Sequence, residues 1–149
     1  MNVNFFGHCV SGLDPQQASV KIPFFSEAVS AGFPSPAQDY VERSLDLNEL
    51  CISHPAAAFF VRAEGLSMVD AGIRPGDILI VNRALTAATG DVVVASLYGE
   101  FTVKELDLTG PAMLRPHNQE MKPILIPETA DAEIIGVVTH VIHSFRKTP

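Results

Sequence analysis

Gly90-Asp91-Val92-Val93-Val94-Ala95-Ser96-Leu97-Tyr98-Gly99-Glu100-Phe101-Thr102-Val103-Lys104-Glu105-Leu106-Asp107-Leu108 is the stretch on which the reading of this chain turns. Gly90-Asp91 ends a loop, and Val92 to Leu97 is rich in β-branched residues. Tyr98-Gly99 is a tight connection, and Phe101 to Leu108 continues as a second strand. Alternate residues of a strand share a face, so Lys104 lies with Thr102, Leu106 and Leu108. Val103, Glu105 and Asp107 take the other side. A lysine on the more apolar side of a strand is an unusual placement, because burying it charged and unpaired is expensive.

The same punctuation extends in both directions. Upstream, Ala58 to Val61 reads as a strand, and Ile73-Arg74-Pro75-Gly76-Asp77 turns into a strand over Ile78 to Val81. Downstream, Gly110-Pro111 turns into Met113-Leu114, and a last strand runs over Ile134 to His143. Many short strands with regular turns predict a mainly β fold, a compact barrel or a pair of packed sheets. A short helix is expected near residues 36–45: Ser35 can cap it, Pro36 suits its first position and Gln38 completes a capping box. A second cap, Asp46 with Glu49, predicts a short helix through Leu50 and Ile52, ended by His54-Pro55. Residues 1–34 read as an extended N-terminal arm, in which Val20-Lys21-Ile22 could pair as a short strand. Residues 35–149 read as one domain.

Composition narrows the function classes. The 149 residues are 47% hydrophobic and 18% charged, enough apolar residue for one buried core. No apolar run approaches the ~20 residues of a membrane span, and the N-terminus has no signal-peptide pattern, so a cytoplasmic protein is expected. Two cysteines, Cys9 and Cys51, make no disulfide framework. The net charge is −7 and the basic residues are scattered, which argues against direct nucleic-acid binding.

Lys104 and Ser67 carry the chemistry. Ser67 stands in Glu64-Gly65-Leu66-Ser67-Met68, just after an apolar run. A serine hydroxyl is a weak nucleophile until a base takes its proton, and a neutral lysine can be that base. Neutralising a free lysine of pKa ~10.4 at pH 7 costs roughly 4.6 kcal/mol, and burial lowers the pKa. Backbone N–H groups of Ser67 and Met68 could then converge on a developing oxyanion. Blander readings exist for both residues. Ser67 could cap a helical turn that ends at Gly72, and Lys104 could snorkel from a strand edge.

Several segments together resemble the UmuD/LexA family of self-cleaving serine–lysine peptidases. Gly65-Leu66-Ser67-Met68 with Gly72-Ile73 and Gly76-Asp77-x-Leu79-x-Val81 resembles the family's nucleophile segment. Gly90-Asp91-Val92-Val93-Val94-Ala95 with Gly99-Glu100-Phe101-Thr102-Val103-Lys104 resembles its lysine segment. Ala31-Gly32-Phe33-Pro34-Ser35-Pro36-Ala37-x-Asp39-Tyr40-Val41-Glu42 is similar to the cleavage region of the UmuD branch, and Leu45-Asp46-Leu47-Asn48 and Gly136-Val137-Val138-x-His140-Val141 match that branch too. UmuD-type proteins typically carry Cys-Gly at the cut; this chain has Ala31-Gly32, as LexA and many phage repressors do. Residues 1–20 have no clear counterpart, and the 31 residues before Gly32 leave no room for the DNA-binding domain of LexA-type repressors.

The resemblance implies a compact LexA/UmuD-like peptidase fold. It implies Ser67 as nucleophile, Lys104 as general base, Ala31 as the attacked carbonyl and Gly32 as the new N-terminus. It implies a homodimer, cleavage stimulated by a RecA–single-stranded-DNA filament, and a product that joins a UmuC-like translesion polymerase subunit in the SOS response. No cofactor is implied.

Other residues invite weaker readings. Cys51-x-x-His54 has metal-ligand spacing, but His8 and Cys9 supply no well-spaced second pair, so packing or surface roles are expected. His140 and His143, three apart on a strand, make poor co-ligands. Asp39 and Glu42 read as a solvated acidic face or a partner contact. Phe24, Phe25 and Phe33 anchor the arm or deliver the cleavage segment. Two competing functions remain at this level: a general serine–lysine peptidase, and a non-catalytic polymerase-binding module.

Overall fold

The structure, a computed structural model, describes residues 3–5, 20, 22–25 and 41–147. Ala31, Gly32, His8, Cys9, Phe33 and Asp39 lie outside the described residues, as do residues 36–40 of the expected helix. In chain order the elements are β1 (Val3–Phe5), β2 (Ile22–Phe25), β3 (Val41–Leu45), α1 (Leu47–Cys51), β4 (Ala58–Ala63), β5 (Ile78–Asn82), β6 (Val92–Leu97), β7 (Glu100–Asp107), β8 (Met113–Arg115), β9 (Ile124–Leu125) and β10 (Ala132–Ile142). The mainly β architecture expected of a LexA/UmuD-like fold is what forms. β1 and everything from His54 onward make one compact unit, and β2, β3 and α1 make a second.

The first unit is an antiparallel sheet in the order β1-β4-β5-β10-β6-β7-β8-β9. Its hairpin β6–β7 closes as the sequence predicts. Leu97 pairs with Glu100 across Tyr98 (φ 51°) and Gly99 (φ 78°). Positive φ at both central residues is the turn whose twist matches the strands, and Gly99 adopts it without cost. The apolar run of β6 is buried on both sides. Val94 packs with Val61, Leu79, Val81 and Val103, while Val93 and Ala95 pack with Leu106, Leu114 and Val137. Each face therefore has its own core cluster, which is why this strand reads as continuous rather than alternating. At the end of β7, the Asp107 carboxylate accepts from the Thr109 hydroxyl and N–H and from Arg115. These bonds, Thr109's first, hold its pKa down at about 2.

β10 is the central strand. It pairs with β6 through Val137 and then with β5 from the same residue onward. Register shifts at Ile134/Gly136 and Val138/His140 bend it between the two. The bend brings Gly136 against β5.

The second unit is a two-stranded antiparallel ribbon, β2 on β3, with α1 following. Residues 41–45 correct the expected helix. Leu45, Ser44, Arg43 and Val41 face Ile22, Pro23, Phe24 and Phe25 across the ribbon. Pairing with a distant segment outweighs the local capping signal, as strand context commonly does. The second cap holds: the Asp46 carboxylate accepts from the Asn48 N–H at 2.8 Å and opens α1. Among the described residues no helix is long and apolar enough to cross a membrane.

A Cβ built on Gly136 would lie 2.7 Å from Val81 Cγ1 and 3.1 Å from the Asn82 carbonyl oxygen. Gly136→Ala is expected to lower stability by about 1–3 kcal/mol through overpacking. Urea denaturation of the two proteins measures this, and an unchanged midpoint would show that β10 yields freely.

Candidate active site

β4 runs out of the core at Ala63, and the chain turns through Gly65-Leu66 into Ser67. A short 3-10 turn follows at Val69–Ala71 and ends at Gly72 in the left-handed region (φ 86°). Its cap position is Met68, with no side-chain capping bond. Ser67 therefore does not cap this turn. It is fully buried, and its Oγ has no hydrogen-bond partner. An unmade hydrogen bond in a core costs about 1–3 kcal/mol, so a buried serine is normally satisfied.

The turn is fixed by a segment far away in sequence. Ser67 C=O accepts from the His117 N–H at 2.7 Å, and His117 C=O accepts from the Asp70 N–H at 2.9 Å. Asn118 Nδ2 donates to Leu66 C=O at 2.9 Å. The His117 ring in turn bonds the carboxylate of Glu105, the neighbour of Lys104 on β7. Within the turn, Val69, Ala71, Gly72 and Ile73 give their N–H groups to carbonyls of the turn itself. Among the described residues none of these turn and loop bonds uses the N–H of Ser67 or Met68.

Lys104 sits in the middle of β7 opposite Val93, with only 5% of its surface exposed. It does not snorkel. Its Nζ donates to the Thr102 hydroxyl, two residues back on the same face, at 2.6 Å. Burial pushes the amine below its usual pKa of 10.5, because the low-dielectric surroundings penalise the charged form. Met68 and Val103 belong to one core cluster, so the residue after Ser67 and the residue before Lys104 share a core. The serine hydroxyl makes no hydrogen bond to the lysine.

The remaining candidates have ordinary roles. The His54 ring bonds Asn82 Nδ2 at 3.0 Å, and Cys51 is a half-buried free thiol. His143 Nδ1 pairs with the buried Asp77 carboxylate at 2.5 Å, and His140 bonds Thr139. Among the described residues no three His, Cys, Asp or Glu side chains are grouped to hold a metal ion. Glu105, His117 and Asn118 escape a reading of local sequence, since only the fold brings residues 117–118 to residues 66–70. Thr102 was within reach, because strand alternation already puts it beside Lys104.

A mainly β domain that buries a serine hydroxyl and a pKa-lowered lysine has the make-up of a serine peptidase. The chain belongs to the Peptidase S24-like family, whose model matches residues 23–139. It is 51% identical over 126 residues to protein ImpA of Escherichia coli, covering 84% of this chain and 86% of that protein. It is 48% identical over 136 residues to protein SamA of Salmonella typhimurium, covering 90% and 95%. It is 40% identical over 131 residues to the LexA repressor of Syntrophobacter fumaroxidans, covering 87% of this chain and 61% of that one.

The lowered lysine pKa has a consequence for stability. Between the folded value and 10.5 the unfolded chain binds more protons than the folded one, so stability rises with pH across that window. Below the window the burial cost is fully present. Lys104→Met removes the cost, so it should gain stability over the parent at pH 7, and the gain should shrink as pH rises toward 10.5. Paired denaturation curves at pH 7 and 10 measure this; a gap that stays constant would mean that the amine is not desolvated.

Proposed function

We infer that the chain is a self-cleaving accessory subunit of an error-prone translesion polymerase, cut between Ala31 and Gly32 by Ser67 and Lys104. The observation that carries this reading is the buried, unpartnered Ser67 hydroxyl in a fold that also holds the Lys104 amine below its ordinary pKa. Neither feature benefits a purely structural core, and both are what a serine–lysine pair requires.

Neutral Lys104 takes the Ser67 proton as Oγ attacks the Ala31 carbonyl carbon. The N–H groups of Ser67 and Met68 receive the oxyanion. Lys104 returns the proton to the departing Gly32 nitrogen, which leaves an acyl ester on Ser67. Water, deprotonated by Lys104, then releases the Ala31 carboxylate and restores the serine. Thr102 holds the amine in place throughout, and the His117 and Asn118 bonds hold the nucleophile's turn. The partners are a second copy of the chain, a RecA–single-stranded-DNA filament that stimulates cleavage, and a UmuC-like polymerase subunit. The site of action is the cytoplasm.

Incubation with RecA, single-stranded DNA and a nucleotide should convert the protein to residues 32–149, with Gly32 at the new N-terminus. Mass spectrometry and N-terminal sequencing read the product, and a different start would move the cut. Ser67→Ala and Lys104→Ala should stay folded and uncut; normal processing of either would sink the dyad.

Without RecA, cleavage should rise roughly tenfold per pH unit while Lys104 titrates, and level off below pH 10.5 because the amine's pKa is lowered. A rate–pH series with folding checked at each point measures this. A flat profile with activity throughout would exclude lysine as the titrating base.

A further inference from the structure

β1 adds to the outer edge of β4, with Val3 opposite Ala63, Asn4 opposite Arg62 and Phe5 opposite Val61. The bonding side of β4 can be read from its other neighbour. Ala63 gives its N–H to the Asp77 carbonyl at 2.8 Å, and its own carbonyl takes the Gly76 N–H at 2.7 Å. Both of its backbone groups thus face away from β1. Backbone groups alternate along a strand, so Arg62 turns its N–H and C=O to the outer edge, where Asn4 lies. Asn4 is the residue of β1 in position to exchange hydrogen bonds with β4. β1 also comes against β7, the strand of Lys104.

A cut between Ala31 and Gly32 would divide the chain between paired strands. β1 and β2 would fall in the N-terminal piece, and their partners β4 and β3 in the rest. Neither pairing needs the bond that is broken. We propose that the outer edge of β4 is a strand-addition site for residues 3–5 that works without chain continuity, so that residues 1–31 stay on residues 32–149 as a nicked complex. The proposal rests on the cleavage reading above only for the place of the cut.

Each pairing is weak alone, since a short two-stranded contact is marginal in water. The two sit on one piece of chain, however, so the second binding event is intramolecular. Such linkage raises retention by roughly 10²–10⁴-fold over either contact. Retention also keeps the β4 edge covered, and a bare edge is a template for unwanted pairing. Cleavage and release are then two separate steps, with release dependent on something that competes for the edge or the ribbon.

The test makes the cut with a foreign enzyme. In the full chain carrying Ser67→Ala, a recognition sequence for a site-specific protease is placed between Ala31 and Gly32. After complete cutting, gel filtration should return both pieces together, and the Arg62 amide should keep its protection from hydrogen exchange. Asn4→Pro in the same chain removes the donor facing Arg62, and should lower retention at least roughly tenfold. Separation of the parent's pieces, or loss of Arg62 protection on cutting, would overturn the proposal. So would equal retention with Asn4→Pro. If that variant does not fold, the exchange measurement on the parent still decides. Because neither Ser67 nor Lys104 makes the cut, failure of self-cleavage would leave the result intact.

Discussion

The desolvation of the Lys104 amine is the constraint around which this domain is arranged. A lysine in the middle of a strand, kept from water, is pushed toward its neutral form. Keeping it there costs stability, and the buried Ser67 hydroxyl adds to that cost. The frame that carries both is apolar on two sides: one cluster runs through Met68, Val94 and Val103, the other through Val93, Leu106 and Leu114. The polar contacts nearby are few and specific. Thr102 gives the amine one acceptor, and His117 and Asn118 hold the turn of the serine by its carbonyls and N–H groups, leaving the hydroxyl itself without a partner.

How far the sequence discloses this depends on the range of the interaction. Val92–Leu97 is read to the residue, and β7 within one residue at each end, because a β-branched run bounded by turn residues and a two-residue turn are local signals. Asp46 discloses α1 for the same reason. Val3–Phe5 and Ile124–Leu125 are too short to carry a pattern and exist as strands only through partners elsewhere. Residues 41–45 show the conflict openly: a plausible helical face yields to a ladder with β2.

The candidate site divides in the same way. Ser67 and Lys104 stand out by residue type and setting, and the structure removes the blander reading of each, the cap and the snorkel. Their supports were not legible, since a histidine and an asparagine after β8 carry no mark of where they will dock. Ala31-Gly32 is read from sequence alone and rests on resemblance.

β10 carries a further consequence, for timing. In the strand ladder, β4 and β5 stand on one side of β10 and β6 to β9 on the other. Ser67 follows β4 and Lys104 lies on β7, so serine and lysine belong to halves that only the last strand joins into one sheet. A chain still on the ribosome can form each half from hairpins near in sequence, but it cannot complete the ladder before residues 132–142 have been made. The single sheet that carries the segments of both Ser67 and Lys104 is thereby completed only at the end of the chain's own synthesis.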